Sequence, residues 1–323
     1  MNNEILIQEL NVFNNLRHQL QIQDDVIVEG LDEHCFAIRK KDVSQDLDVE
    51  ILFCALTHGN EVIGLQIINL ILSDIVEHKL NVNGRIAFML NNVSAYHKNK
   101  RFCEQDLNRS FMSNENAQSN YEINRAKEIQ SIILILKPKV IIDLHQTIEP
   151  THSSFFVIPE SLELVTLCHN TNPLWPVLCF DSQGFSSDGR TLLEFAFHHH
   201  IKCFVIEVSQ NGFDRIKAME VSKLLQKKFI QDSIHIITSQ HKSHSYYLIK
   251  QKLVKNGQEN DHYKMKRKFI NLDKVEKGEC IAESVSGDKL VSRYKGVILF
   301  PKSDERIDDY QDVGLIAQLV EKA

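Results

Sequence analysis

The sequence predicts an α/β fold with a mostly parallel, mixed sheet flanked by helices over residues 1–240, followed by a smaller β-rich domain over residues 241–323. Three observations carry this expectation. Near-continuous apolar runs such as VEILFCAL (Val49–Leu56) and VIIDL (Val140–Leu144) read as strands buried on both faces. Helical stretches separate these runs, and alternation of strand and helix builds a parallel sheet. Past residue 240 the helical periods stop, and short alternating segments with polar turns take over. A chain of 323 residues fits this division, since domains average roughly 150 residues.

Each element has its own signal. Ile5, Leu6, Leu10, Phe13, Leu16 and Leu20 recur at helical spacing and predict an amphipathic helix over residues 3–20. Val26–Val28 and Cys35–Ile38 are short strands. Val49–Leu56 stops abruptly at Thr57-His58-Gly59-Asn60-Glu61, and a helix follows from Val62 to about Val76. Arg85–Leu90 is the next strand, and a polar loop fills residues 91–120. The helix over 121–136 is closed by Lys137-Pro138, since the residue before proline avoids helical backbone. Val140–Leu144 then ends at His145. Phe155–Ile158, 177–180 and Cys203–Val208 are further strands, with helices over 161–169, 191–199 and 213–237. Tyr246–Ile249, Cys280–Glu283, Lys289–Tyr294 and Gly296–Phe300 make the β-rich part. The basic cluster Lys264–Lys268 reads as a solvated turn or strand edge.

Composition excludes several functions. Charged residues make up 25% and the hydrophobic set 43%, enough for a core and unlike a disordered chain. A net charge of −6 argues against a nucleic-acid partner bound by phosphate neutralisation. No apolar run approaches the ~20 residues of a membrane span, so no membrane partner is expected. No apolar signal segment opens the sequence. Seven cysteines, an odd number without a CxxC, fit reduced thiols in a cytoplasmic setting.

The chemistry gathers where strands end, which is where ligands collect in open α/β sheets. His58 and Glu61, three apart at a helix start, can point the same way, and both types ligate zinc. Gly59 lies between them in a chain with only 12 glycines, and would permit a tight turn bringing both to one point. His145 follows a second buried strand. Two histidines and one glutamate leave an open position, the pattern of catalytic rather than structural zinc. Glu207 interrupts the apolar strand CFVIEV. A carboxylate buried there is costly unless paired or near a metal, and reads as a general base or as an ion-paired core glutamate. Arg101 and Arg109, in the polar loop, offer donors to a carboxylate or an oxyanion. The run His198-His199-His200 is not a metal site, because neighbouring helical side chains point about 100° apart.

The set His58-Gly-Asn-Glu61, Arg101, Asp106-Leu-Asn108-Arg109, Asp143-Leu-His145 and Ile206-Glu207-Val208 resembles the succinylglutamate desuccinylase/aspartoacylase family, zinc hydrolases related to the zinc carboxypeptidases. The motifs occur in the family's order over about residues 58–208. Glu276-Lys-Gly278 and Gly296–Pro301 are similar to its C-terminal β domain. The resemblance implies a zinc-carboxypeptidase-like domain holding one Zn²⁺ through His58, Glu61 and His145. It implies Glu207 as general base, Arg101 as the group polarising the scissile carbonyl, and Asn108 and Arg109 as substrate-carboxylate binders. Tyr310 is a looser counterpart of a family tyrosine that binds substrate. The implied reaction is zinc-dependent hydrolysis of the amide of an N-acyl amino acid, with N-succinylglutamate first. An aspartoacylase-like deacetylase, a carboxypeptidase-like hydrolase of another anionic amide and a non-catalytic zinc-binding member stay open. The stretch LLEFAFHHHIK lacks the arginine that the family carries before its general-base strand, which leaves specificity open. Two arginines and a divalent ion against Glu61 and Glu207 predict a locally cationic pocket for a small anionic substrate.

Overall fold

The computed structural model of the protein describes residues 3–112, 118–180, 190–231, 244–256 and 261–322. The chain opens with α1 (Asn3–Gln21) and the hairpin β1 (Val26–Asp32) and β2 (Cys35–Lys40). Next come β3 (Ile51–Ala55), α2 (Ile63–Val76), β4 (Arg85–Leu90), α3 (Val93–His97), α4 (Tyr121–Leu136) and β5 (Val140–Thr147). Then follow β6 (Phe155–Pro159), α5 (Leu162–Thr171), β7 (Val177–Phe180), α6 (Leu192–His198), β8 (Lys202–Gln210) and α7 (Arg215–Leu225). The remaining strands are β9 (His244–Val254), β10 (Tyr263–Met265), β11 (Lys274–Val275), β12 (Cys280–Ser284), β13 (Lys289–Val291), β14 (Gly296–Leu299) and β15 (Asp312–Lys322). Two compact units result: Met1–Gln146 with Ser182–Gln240, and Thr147–Asp181 with His241–Ala323.

In the first unit the strands run β1-β2-β4-β3-β5-β8. β3 is parallel to both β4 and β5, while β2 is antiparallel to β1 and β4. All five residues of β3 are buried, as its apolar run predicts. α2 packs against α1, α7 and β3, which explains why it is apolar almost all round. It lies so close to the sheet that a Cβ at Gly64 would meet Ala55 and Leu144 Cβ atoms at 2.9 Å. α4 ends at Lys137 in the left-handed region, with φ 47°, just before Pro138. Among the described residues no helix is long and apolar enough to cross a membrane.

Four local features depart from the sequence reading. Part of the polar loop is helical: Asn92 Oδ1 accepts the Ala95 N–H at 3.1 Å and starts α3, which is too short to show a period. β5 continues past Leu144 to Thr147, so Asp143 and His145 share one face of a strand. The helix read over 213–237 starts after Asp214, whose Oδ1 accepts the Lys217 N–H at 2.9 Å. It widens to π-helical turns over Gln226–Gln231, and positions past 231 in that reading fall outside the described residues. Gly59 does not adopt a left-handed φ. A glycine is required there because a Cβ would lie 2.3 Å from Tyr96 N and 2.4 Å from Ala95 C.

The second unit runs β6-β7-β9-β15-β14-β11, with a three-stranded sheet β10-β12-β13 beside it. β7 is parallel to β6 and to β9, and the pairs from β9 to β11 are antiparallel. The pairing of Leu178 with Tyr247 joins segment 147–181 to the C-terminal residues, whereas the sequence reading kept that segment with the first domain. The expected boundary near 240 falls outside the described residues. β15 was not read from the sequence, and it pairs with the eleven residues of β9 through a register running from Lys322↔His244 to Asp312↔Val254. Tyr263, Ile281, Ile298, Val313 and Ile316 form the core of this unit. Within the basic cluster Lys266 pairs with Glu283 and Arg267 with Asp273 at the surface, as a solvated edge would.

The backbone approach at Gly59 sets a stability test. Gly59→Ala must displace α3 against packed backbone, so its unfolding free energy in urea is expected to fall by about 1–3 kcal/mol, the usual cost of overpacking. An unchanged unfolding midpoint would show that the approach is not a constraint.

Candidate metal and active site

The site is built at the ends of β3 and β5. β3 stops at Leu56, which takes a left-handed φ of 59°. The bend is held by backbone bonds from Asn91 N to Ala55 O (2.8 Å) and from Asn92 N to Leu56 O (2.9 Å). The chain then turns through His58 and Glu61, the Glu61 N–H donating to His58 O at 3.0 Å. His145 arrives from β5, the neighbour of β3. Among the described residues, His58, Glu61 and His145 form the one metal-competent group of three. Their ligand atoms lie within 4.8 Å of one another, and all three side chains are buried.

Each imidazole is flanked by carboxylates on both sides. His58 Nδ1 lies 2.7 Å from Glu61 Oε1, and its Nε2 lies 3.2 Å from Asp106 Oδ1. His145 Nδ1 lies 3.0 Å from Glu61 Oε2, and its Nε2 lies 2.7 Å from Asp143 Oδ2. Asp143 is fixed in turn, because Thr57 Oγ1 donates to its Oδ1 at 2.9 Å and accepts from Asn91 Nδ2 at 2.8 Å. Carboxylates behind metal-ligating histidines set the tautomer and orient the ring. Sequence reading gave neither Asp106 nor Asp143 a role, although Asp143-x-His145 on a strand already implied a shared face.

The donor set fits a divalent ion. His58 Nδ1 is buried and close to Glu61 yet makes no hydrogen bond of proper geometry, as expected of two lone pairs that call for a cation between them. Burial opposes protonation of His145, yet Asp143 and Glu61 hold its pKa well above that of an ordinary imidazole. Burial likewise opposes ionisation of Glu61, yet His58 and His145 hold its carboxyl far below the usual range. The carboxylates thus demand positive charge at this point. Two imidazole nitrogens and one carboxylate oxygen are suited to zinc.

Glu207 sits on β8, next to β5. Its Oε2 is buried without a hydrogen-bond partner among the described residues. Burial pushes its carboxyl up to about 7, against the pull of His145. Arg101 enters from the loop before α4. Its Nη1 donates to Glu61 Oε1 at 3.1 Å, and its Nε and Nη2 donate to Asp106 Oδ2, each at 3.2 Å. Asn108 Oδ1 accepts the Leu192 N–H at 3.1 Å, so that oxygen supports the start of α6 and the carboxamide nitrogen is what remains for a ligand. Arg109 Nη1 donates to Asn108 O at 2.6 Å.

Gln146 was also missed by the sequence reading. Its N–H donates to Glu61 Oε2 at 3.0 Å, its Oε1 accepts from Ile63 N at 3.1 Å, and its Nε2 reaches Gln210 O and Gly212 O at 2.9 and 2.8 Å. One amide thereby links β5, α2 and the end of β8. Tyr310 belongs to the second unit, where its hydroxyl accepts from Arg306 Nη2 at 2.6 Å and Lys302 Nζ lies 4.6 Å from its ring centre.

The sequence count of the pocket's charges left out two carboxylates. Asp106 and Asp143 add two carboxylates, so a divalent ion with Arg101 and Arg109 only balances the four acidic groups.

Comparison with known proteins identifies the family. The family model for the succinylglutamate desuccinylase/aspartoacylase catalytic domain matches residues 48–227, which contain every site residue above except Tyr310. A succinylglutamate desuccinylase of Pseudomonas putida is 29% identical over 120 residues, 36% of this chain and 36% of that protein. The aligned part thus spans about a third of that relative. One from Shewanella denitrificans is 22% identical over 294 residues, 83% of this chain and 81% of that protein. Among solved structures, a succinylglutamate desuccinylase of Vibrio cholerae superposes with a TM-score of 0.72 at 16% identity, covering 96% of this chain and 98% of that one. Murine aminoacylase 3 gives 0.64 at 16% identity, over 86% and 98%. The family's fold is therefore present from end to end of the catalytic region, and the chain belongs to the succinylglutamate desuccinylase/aspartoacylase family.

Proposed function

We propose that the protein is a zinc-dependent amidohydrolase that cleaves the linear amide of an N-acyl amino acid, with N-succinylglutamate, split to succinate and glutamate, as the first substrate. The observation that carries the reading is the buried Glu207 oxygen, without a hydrogen-bond partner among the described residues and in the electrostatic reach of the His58, Glu61 and His145 group. A carboxylate with a pKa near 7 can take a proton and give it back. A zinc ion held by His58, Glu61 and His145 supplies Lewis acidity, which makes water acidic and a carbonyl electrophilic.

The chain's own groups account for the remaining work. Glu207 takes the proton of the attacking water and returns it to the leaving amine nitrogen. Asp106 holds Arg101 through Nε and Nη2 and Glu61 holds it through Nη1, which presents the guanidinium to the carbonyl oxygen as negative charge develops. The Asn108 carboxamide nitrogen and Arg109 hold a substrate carboxylate and set its register. The formally balanced pocket makes these directed donors, rather than a general positive field, the source of selectivity for an anionic acyl group. The relatives' name, succinylglutamate desuccinylase, supports the succinyl choice.

Three measurements test this reading. Zinc-loaded protein, with a chelated control, is assayed against N-acetyl and N-succinyl amino acids. N-succinylglutamate should exceed N-acetylglutamate by about 10- to 100-fold in kcat/KM, the effect of one added charge-assisted hydrogen bond. The reverse ranking would make the protein a deacetylase, and no turnover of the whole panel would overturn the hydrolase reading. Glu207→Ala should retain its zinc and lose about 10²- to 10⁴-fold in kcat, and near-wild-type turnover would remove it from its role. His58→Ala should emerge without zinc in elemental analysis, and full occupancy would contradict its place as a ligand.

A further inference from the structure

Among its described residues, the loop that carries Arg101, Asn108 and Arg109 has one short regular element between α3 and α4, a 3-10 turn at Leu107–Arg109. It is nevertheless tied at its centre by one buried carboxylate. We infer that Glu122, on the first turn of α4, is the positioning residue that fixes this loop in its substrate-binding shape; this rests on the amidohydrolase reading.

Glu122 is fully buried. Its Oε1 accepts the Cys103 N–H at 2.6 Å and the Asn92 Nδ2–H at 3.2 Å. Its Oε2 accepts the N–H groups of Glu104 and Gln105 at 3.1 and 3.3 Å. Three successive N–H groups converge on one carboxylate only when the backbone curls around it, so these bonds dictate the local chain path. The clasp is reciprocal, because Glu104 Oε2 accepts the Tyr121 N–H at 3.2 Å. A carboxylate in the first turn of a sixteen-residue helix also gains from the helix dipole.

The clasp lies between the functional ends of the loop. On one side Arg101 O accepts the Gly59 N–H at 3.0 Å, holding the loop to the turn between His58 and Glu61. On the other, Asp106 Oδ1 accepts the Asn108 N–H at 2.8 Å and Asn108 Oδ1 accepts the Leu192 N–H. Glu122 touches no proposed ligand, metal or reacting atom. It acts by setting the distance between Arg101 and the Asn108–Arg109 pair. A glutamine at 122 would keep the shape but turn an NH₂ group toward N–H donors, leaving part of the set unpaired.

The test combines amide hydrogen exchange with kinetics on the full-length protein. In Glu122→Gln, exchange at residues 103–105 should accelerate at least about tenfold while the peptides of β3 and β5 stay protected. Zinc content should be unchanged, and KM for N-succinylglutamate should rise at least about tenfold, more than kcat falls. Unchanged exchange in the loop, loosening spread over the whole unit, or a loosened loop with unchanged KM would each overturn the inference. Should Glu122→Gln fail to fold, Glu104→Ala loosens the same clasp from an exposed side chain. It should speed exchange at 103–105 by about threefold, and wild-type protection there would count against the clasp. Wild-type protein that hydrolyses none of the panel would sink the amidohydrolase reading, while the exchange data would still decide the positioning claim.

Discussion

Two imidazole rings are buried side by side, with His58 and His145 ring centres 5.0 Å apart, and much of the first unit answers to that fact. Neither ring reaches water, so every ring nitrogen must meet a partner inside the protein, or leave a buried polar group unpaired at about 1–3 kcal/mol. Glu61 lies within 3.0 Å of the two facing nitrogens, of which His58 Nδ1 makes no hydrogen bond of proper geometry, and Asp143 and Asp106 serve the outer ones. Those carboxylates then need donors themselves. Thr57, itself held by Asn91, supplies Asp143, while Arg101 supplies both Asp106 and Glu61. The polar loop before α4 must therefore come close to the end of β3, and α3 must press against Gly59 to leave room.

Much of this was legible in the sequence, for reasons that can be named. β3, β5 and β8 declare themselves as apolar runs because they lie inside a sheet. His58, Glu61 and Glu207 stand out against such runs, and a polar residue at a buried strand end is conspicuous. Asp143 was legible only through its i, i+2 spacing from His145 on a strand, and Asp106 not at all, because a carboxylate that reaches a histidine from a distant loop obeys no sequence spacing. Asp106 reaches His58 from 48 positions away. The charge count was incomplete for a related reason: it took only residues that would meet the ion or the substrate, and Asp106 and Asp143 stand behind them.

Structure was also missed where the signal is not local. α3 spans five residues, less than two helical turns, and rests on the Asn92 cap rather than on an apolar period. β15 pairs with β9 far back in sequence as well as with nearby β14, so its place between them does not follow from a local pattern. Gly59 was noticed for its rarity and given a reason that the backbone does not support. Its value lies in the missing side chain and not in conformational freedom. Glu122 carried no mark beyond its place in a helical first turn, where acidic residues are common.

The order of strands in the second unit has a consequence for synthesis on the ribosome. β6 and β7 emerge early, but the other edge of β7 waits for β9, whose first residue lies more than sixty positions downstream. β15 stands between β9 and β14, so these two strands have no common partner until residues 312–322 have been made. At translation speeds of about 5–20 residues per second, the nascent unit spends several seconds with unsatisfied strand edges. That interval, rather than the finished fold, is when this part of the chain is most exposed to mispairing with other molecules.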